Sequence, residues 1–180
     1  MTTTSLGSVI SAAAFAARKH RDQRRKDAAA SPYINHPLAL ADVLANEGGV
    51  EDVNVLCAAL LHDTIEDTET TAEELQREFG SKITSIVLKV TDDKSLPKTE
   101  RKQLQIEHAG HASLEARLVK LADKICNLRD ILASPPVDWP TERKRQYFDW
   151  ARQVVDQLRG TNDVLETAFY QEHARIEELR

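Results

Sequence analysis

The sequence predicts an all-α fold, and three observations support this. Helix start and stop signals recur along the chain, such as Thr71 with Glu74 at a start and Gly80 or Gly160 at an end. No strand-like alternation of apolar and polar residues reaches a useful length. One long segment carries apolar residues at the spacing of a buried helix face, at Leu114, Leu118, Leu121, Ile125, Leu128 and Leu132.

The N-terminal third of the chain contains two predicted helices. A loose tail up to about residue 8 precedes the first helix, whose small apolar residues recur at helical spacing. This helix runs into the basic segment 18–27, which charge alone predicts to be a solvated surface. The second helix begins near Pro37, because proline suits a first helical turn, and this places His36 at its entry. The pair Gly48-Gly49 ends it.

The rest of the chain is also helical apart from polar breaks. Residues 91–100 contain Pro97 and predict a loop, and residues 134–136 break the chain again. The predicted helices span residues 71–80, 81–90, 98–109, 114–132 and about 141–159, and a last one is capped by Thr161 or Asn162. A polar row runs beside the apolar stripe of the fourth of these, formed by Lys120, Asp123, Asn127 and Asp130.

Composition narrows the class of protein. The chain of 180 residues is expected to form one domain over residues 1–180, and its net charge of −5 argues against a nucleic-acid-binding surface. Cys57 and Cys126 each lie inside a predicted helix and form no CxxC pattern, which predicts reduced core thiols. No segment is long enough to span a membrane, and no secretory leader is found. A cytoplasmic location is therefore expected.

One stretch near the middle joins a buried helix to a cluster of ionisable side chains. Residues 53–61 are apolar nearly all the way round, which predicts a buried helix. Four ionisable residues follow within one to two turns: His62, Asp63, Glu66 and Asp67. Such groups are costly to bury without charge partners or a metal. If the helix continues, the geometry suits a metal pair followed by an acid/base pair; the alternative is a solvated helix end.

Metal-type ligands occur at three separate places, namely His36, the pair His62-Asp63, and Asp123. Two imidazoles and two carboxylates can hold one divalent cation and leave positions open for water and a phosphate oxygen. Carboxylates favour Mn or Mg, and imidazole tolerates Zn, Fe or Ni, so the ligand types leave the metal open. Spacing alone does not establish that these distant residues meet, and an isolated histidine such as His36 is more often structural.

The order of these residues resembles the H…HD…D signature of the HD phosphohydrolase superfamily. The central stretch extends it to HD-x-x-E-D, at residues 62–67. Further matching motifs are Arg-Lys-Asp at 25–27, Pro-Tyr-Ile-Asn-His-Pro at 32–37, Thr-Asp-Asp-Lys at 91–94, and the segment 120–130. Together they resemble the hydrolase domain of the RelA/SpoT alarmone enzymes, and most of all its single-domain branch of metazoan SpoT homologues, or small alarmone hydrolases. The resemblance covers residues from about 15 to about 166.

The resemblance implies a fold and a metal centre. It implies an HD-domain helical bundle of about eight to ten helices with no synthetase domain. One Mn²⁺, replaceable by other divalent metals, is implied on four ligands: His36, His62, Asp63 and Asp123. Glu66 and Asp67 fall on the family's catalytic acidic pair.

The resemblance also implies contacts to a small-molecule nucleotide. Arg25 falls on the arginine that packs against guanine, and Lys26 falls beside it on a phosphate-side contact. Asn127 falls near the ribose and phosphates. A C-terminal segment that closes over the nucleotide is implied at Trp139, Arg143 and Tyr147.

Three functions remain open at this point. The first is removal of the 3′-pyrophosphate from guanosine tetra- or pentaphosphate, giving GDP or GTP and pyrophosphate. The second is removal of the 2′-phosphate from NADPH, which the same branch is associated with in animals. The third is a module that binds the alarmone without hydrolysing it, although the intact pairs His62-Asp63 and Glu66-Asp67 argue against this. Either a monomer or a homodimer is compatible with all three.

Overall fold

The computed structural model describes residues 5–180 and is built from nine α-helices over that range. The helices are α1 (Ser5–Lys19), α2 (Asn35–Asp42), α3 (Val53–Leu61), α4 (Thr64–Asp67), α5 (Ala72–Val90), α6 (Lys98–Ala109), α7 (Leu114–Ala133), α8 (Thr141–Asp156) and α9 (Asp163–His173). A π-helical turn, Val43–Glu47, continues α2, and a 3₁₀ turn, Ala174–Glu178, follows α9. Within residues 5–180 the β-structure amounts to an isolated bridge between Arg24 and Pro32. The predicted all-α class is confirmed.

Helix α3 lies at the centre of the bundle. It packs against α1, α2, α5 and α7, and its residues from Cys57 to Leu61 are all buried. The Asp52 carboxylate caps its N-terminus by accepting a hydrogen bond of 2.8 Å from the Asn54 backbone N–H. A helix that is apolar on every side is stable only where neighbours cover it completely, which explains this central position.

Helix α7 supplies the second long buried surface. Its leucine and isoleucine stripe is buried from Leu118 to Leu128, where α5, α8, α9 and the π-helical turn pack against the helix, while Leu114 is 54% exposed. The polar row predicted beside the stripe therefore runs along the edge of the core. Both cysteines are buried and free, as expected of core thiols.

The structure differs from the sequence-based expectations in three places. Helix α1 begins at Ser5, three residues before the predicted end of the tail, and residues 1–4 of that tail lie outside the described part of the chain. Helix α3 does not continue through the ionisable cluster, because His62 and Asp63 form a turn before α4. Helix α8 ends at Asp156, before the predicted end near residue 159. The predicted helix end at Gly80 is confirmed as a kink, where this glycine adopts φ 82°, a value that costs other residues strain.

Two further features position the site. Val137, in the segment between α7 and α8, donates its backbone N–H to the Lys26 carbonyl over 2.9 Å, so this segment lies against the loop after α1. Asn162 caps α9, as one of the two predicted candidates, by accepting from Leu165 N–H. None of the helices within residues 5–180 combines the length and the apolar character needed to cross a bilayer.

Candidate active site

The three distant places that offer metal-type ligands converge beside the end of α3. His36 lies in the first turn of α2, His62 directly after α3, and Asp123 in the middle of α7. One ligand atom from each lies within 4.8 Å of the others. Both histidines are buried, with 4% and 5% of their surface exposed. This convergence could not be derived from spacing along the chain.

The end of α3 fixes the orientation of the His62 ring. Its Nδ1 lies 2.7 Å from the Ala59 carbonyl oxygen, which can only accept, so Nδ1 carries the proton. The other nitrogen, Nε2, is buried and has no hydrogen-bond partner among the described residues. It lies 2.9 Å from Asp63 Oδ2 without the geometry of a hydrogen bond. Nε2 beside a carboxylate oxygen can share a proton or a cation with it, and a metal ion would take the lone pair of the neutral ring.

Asp123 is held by its neighbours on α7. Its Oδ1 accepts from Asn127 Nδ2 over 2.7 Å and lies 3.2 Å from His36 Nε2. Its Oδ2 accepts from the buried Lys124 ammonium over 2.8 Å. Burial would raise the pKa of Asp123, but Lys124 and the facing histidines hold it well below its usual range. The carboxylate therefore stays charged inside the fold.

The electrostatic field of the cluster attracts positive charge. Burial on its own would lower the pKa of His62, but the Asp63 and Asp123 carboxylates raise it to about 9. Asp63 also accepts a short hydrogen bond from the Tyr33 hydroxyl. Two imidazoles and the Asp123 carboxylate, together with the unpaired Nε2, fit a divalent cation. Asp63 is not part of the group that meets within 4.8 Å, but its Oδ2 lies 2.9 Å from His62 Nε2.

The acidic pair one turn later lies on α4 and faces different partners. Glu66 accepts from the Asp92 backbone N–H over 3.1 Å, and Arg101 lies 3.9 Å from its other oxygen. Burial raises the pKa of Glu66 to about 7, although the hydrogen bond from Asp92 opposes this. A carboxyl group with a pKa near neutrality is suited to exchanging protons.

Asp67 contacts two polar side chains, one charged and one neutral. Lys94 forms an ion pair with its Oδ1, and Gln23 Nε2 donates to its Oδ2 over 3.2 Å. Neither carboxylate of the acidic pair belongs to the cluster of potential ligands.

Two adjoining cavities flank the cluster, with volumes of about 640 Å³ and 510 Å³. Volumes of this size suit a nucleotide-sized ligand. Of the twelve residues predicted for the site, all but Lys26 line the larger cavity, and Lys26 lines the smaller one. The two cavities share a wall of seven residues: Arg25, Tyr33, His36, Asp67, Asn127, Trp139 and Tyr147.

The predicted nucleotide contacts lie around the rim of these cavities. The Arg143 guanidinium lies over the Trp139 ring at 4.4 Å, and the Trp139 and Tyr147 rings are 5.8 Å apart. These three residues are named the aromatic clamp below. Arg25 lies over the Tyr33 ring at 5.8 Å and pairs with Asp130 at 2.5 Å.

Sequence reasoning gave no role to several residues that the structure places here. The larger cavity carries a second set of basic side chains from α6 and α7: Lys98, Arg101, Lys102, Lys120 and Lys124. Burial and the neighbouring positive charges lower the pKa of Lys98 and Lys102, which an anionic ligand would reverse. The helical periodicity of α6 did reveal a helix, but no signal indicated which of its faces borders the site.

Comparison with known proteins agrees with the class that the cluster defines. A family model of the HD domain matches residues 12–149, and the chain belongs to this family.

Individual relatives extend the likeness over most of the chain. Proteins named guanosine-3′,5′-bis(diphosphate) 3′-pyrophosphohydrolase MESH1 are 58% identical in Xenopus tropicalis, over 88% of each chain, and 56% identical in Homo sapiens, over 89% of each. A solved structure described as a metazoan ortholog of SpoT that hydrolyses ppGpp superimposes with a TM-score of 0.91. That match has 47% sequence identity and covers 93% of this chain and 94% of the other.

Proposed function

We propose that this protein is a metal-dependent hydrolase that removes the 3′-pyrophosphate from guanosine 3′,5′-bis(diphosphate) and its pentaphosphate form. The observation that carries the proposal is the convergence of His36, His62 and Asp123 on one buried point between two nucleotide-sized cavities. The relatives that share this fold over nearly their whole length are named for the same reaction.

The proposed metal ligands are His36, His62, Asp63 and Asp123, and Mn²⁺ is the proposed ion. The buried, unpaired Nε2 of His62 and the charged Asp123 support this assignment among the described residues. A divalent cation bound there supplies Lewis-acid polarisation of a phosphoryl oxygen and makes a nearby water more acidic.

The proposed role of Glu66 and Asp67 is to orient the attacking water and accept its proton. Both lie on α4, one helical turn beyond the histidine-aspartate pair. Their carboxylates bond to Asp92, Lys94 and Gln23 rather than to the cluster, so oxygen lone pairs remain available for a water. No side chain needs to form a covalent intermediate.

The basic residues of the larger cavity are proposed to hold the phosphates. Lys98, Lys102 and Arg143 come from two different helices and border the same space. Their mutual repulsion falls when a polyanion enters, so binding energy is available for a substrate with several phosphates. Asn127 belongs to the wall that the two cavities share, and Lys26 borders the smaller cavity. There Arg25 offers a flat cation to a purine face.

One assay tests the proposal directly. Metal-stripped protein is supplied with Mn²⁺, and release of pyrophosphate from the guanosine alarmone is measured beside release of phosphate from NADPH. We expect pyrophosphate and GDP from the alarmone at the higher kcat/KM. Turnover of NADPH alone would replace this function with the 2′-phosphatase. Tight alarmone binding without turnover, with any divalent metal, would indicate the sensor module instead.

A further inference from the structure

A chain of polar side chains lies behind the acidic pair, in the loop that follows α1. His20 is 2% exposed, and its Nδ1 lies 2.7 Å from Gln23 Oε1. The amide nitrogen of Gln23 in turn lies 3.2 Å from Asp67 Oδ2. His20 and Gln23 belong to the segment whose charge predicted a solvated surface, so their placement is a finding of the structure.

The donor and the acceptor of each of these hydrogen bonds can be assigned by starting from the Asp67 carboxylate. The Asp67 carboxylate accepts only, so the Gln23 amide must present its NH₂ group to it. The carbonyl end of the amide therefore faces His20 and accepts, so Nδ1 of His20 carries the proton. If the glutamine amide were rotated by half a turn, its oxygen would face the carboxylate oxygen and the two would repel each other. The imidazole thus selects the amide orientation that favours Asp67.

The rest of the environment holds His20 in place. Its ring packs on the Tyr33 ring with centroids 4.8 Å apart, and the Tyr33 hydroxyl donates to Asp63. Its Nε2 is buried without a hydrogen-bond partner among residues 5–180. One buried imidazole therefore lies behind both a proposed metal ligand and a proposed catalytic carboxylate.

We propose that His20 and Gln23 are positioning residues that hold the Asp67 carboxylate in the orientation needed to accept a proton from water. The other partner of Asp67 is Lys94, whose side chain is 49% exposed and flexible. Gln23 supplies the directional contact from the protein interior. This inference rests on the proposed function in one respect only, namely that Asp67 acts on a water.

The test is a double-mutant cycle between Gln23→Ala and Asp67→Asn. In the Mn²⁺-supplied protein we expect Gln23→Ala to lower kcat about tenfold and to change KM less than about twofold, as for one hydrogen bond to a charged group. In the Asp67→Asn background the same change should have no further effect on kcat. An equal loss in both backgrounds, or no loss in either, overturns the proposal.

Conservative replacements separate positioning from packing. We expect His20→Asn, whose amide can donate from near the Nδ1 position, to retain more kcat than His20→Leu, which has no donor. Equal kcat values in these two variants would contradict the role of His20. Gln103→Ala is the matched control, since it removes an exposed glutamine that bonds to Glu107 on α6 and lines neither cavity. Its kcat should equal that of the wild type.

A structural readout keeps the proposal testable if the wild type does not hydrolyse the alarmone. Absence of wild-type turnover would overturn the proposed function and leave the positioning question to crystal structures of the wild type and Gln23→Ala. A rotated or disordered Asp67 carboxylate in the variant supports positioning. An unchanged, ordered carboxylate overturns it.

Discussion

The cluster of potential metal ligands and the aromatic clamp border the same cavity but are built in opposite ways. The cluster takes His36, His62 and Asp123 from three separate parts of the chain, on elements that pack into the core. The clamp takes all its residues from one short segment at the start of α8, where Arg143 is exposed. The core therefore fixes the cluster, whereas in the clamp Trp139 and Tyr147 are only partly buried against the core and the exposed Arg143 stacks on Trp139.

This difference assigns different jobs to the two regions. A site fixed by the core cannot shift without disturbing the fold, which suits the chemistry common to a whole family. A clamp whose charged member is exposed can change at Arg143 without disturbing the core, which suits the choice of nucleotide. Changes in the cluster should therefore remove activity, and changes in the clamp should redistribute it.

The largest effect is expected in the cluster. His62→Ala and Asp123→Asn should each reduce hydrolysis to background and remove most of the bound divalent metal, because each deletes a charge or lone pair that no neighbour replaces. Elemental analysis of folded protein, checked by circular dichroism, measures the metal. Asp149→Asn, which changes an exposed carboxylate outside both cavities, is the control. Full occupancy by one ion in both variants would refute the ligand assignment.

The next largest effect is expected in the acidic pair, Glu66 and Asp67. Glu66→Gln and Asp67→Asn should each lower kcat by about 10²–10⁴, the range for losing a general base. Metal content and nucleotide affinity should stay at wild-type values, since neither carboxylate belongs to the cluster. Isothermal titration with a slowly hydrolysed nucleotide measures the affinity. Wild-type kcat in either variant would leave that residue without a catalytic role.

A smaller effect is expected in the clamp. Arg143→Ala should raise KM roughly ten- to a hundredfold, as for one charge-assisted contact, with little change in kcat. It should also change the ratio of alarmone to NADPH turnover, because the contact is remote from the reacting phosphorus. Arg145→Ala, which removes a neighbouring arginine paired with Glu177, is the control. Equal KM values for wild type and Arg143→Ala on both nucleotides would show that the arginine is a solvated surface residue.

The smallest effect concerns stability in the metal-free protein. Burial raises the pKa of Glu66 to about 7 from its ordinary value of 4.5. The neutral side chain therefore stabilises the fold fully at pH values below 4.5. This stabilisation is lost as the pH rises through 7. Urea unfolding measures the free energy of unfolding at pH 5 and at pH 8. Between these pH values we expect that of the wild type to fall by about 2 kcal/mol more than that of Glu66→Gln, which is less than the full pKa shift implies because the side chain is partly exposed. A pH-independent difference would contradict the raised pKa.

The sequence predicted the helices well where local signals agree with packing. The stripe of α7 has a helical period and lies in the core from Leu118 to Leu128, as expected, whereas Leu114 at the start of the helix is 54% exposed. The break at His62 and Asp63 was not predicted, because nothing in the residue types forbids a continuous helix there. The turn is held by one local contact, of His62 with Ala59, and by one tertiary contact, of Asp63 with Tyr33.

The site was predictable in its residues but not in its geometry. The spacing of acidic and histidine residues, read through the family resemblance, identified side chains that the structure does bring to the two cavities. It gave no sign of Lys102, whose ammonium lies over the Trp150 ring at 4.7 Å, or of the contact between Tyr33 and Asp63. Such contacts depend on which helix faces meet, and a single sequence does not encode that in any local pattern.

The exact number of residues in α3 also constrains the site. The helix is anchored at one end by the Asp52 cap, and at the other end it presents His62 through the bond to Ala59. Each residue of an α-helix turns the chain by about 100°. One inserted or deleted residue within Val53–Leu61 would therefore either swing the imidazole out of the cavity or rotate the apolar face away from its neighbours. The length of this helix, as well as its residue types, is thus part of the specification of the site.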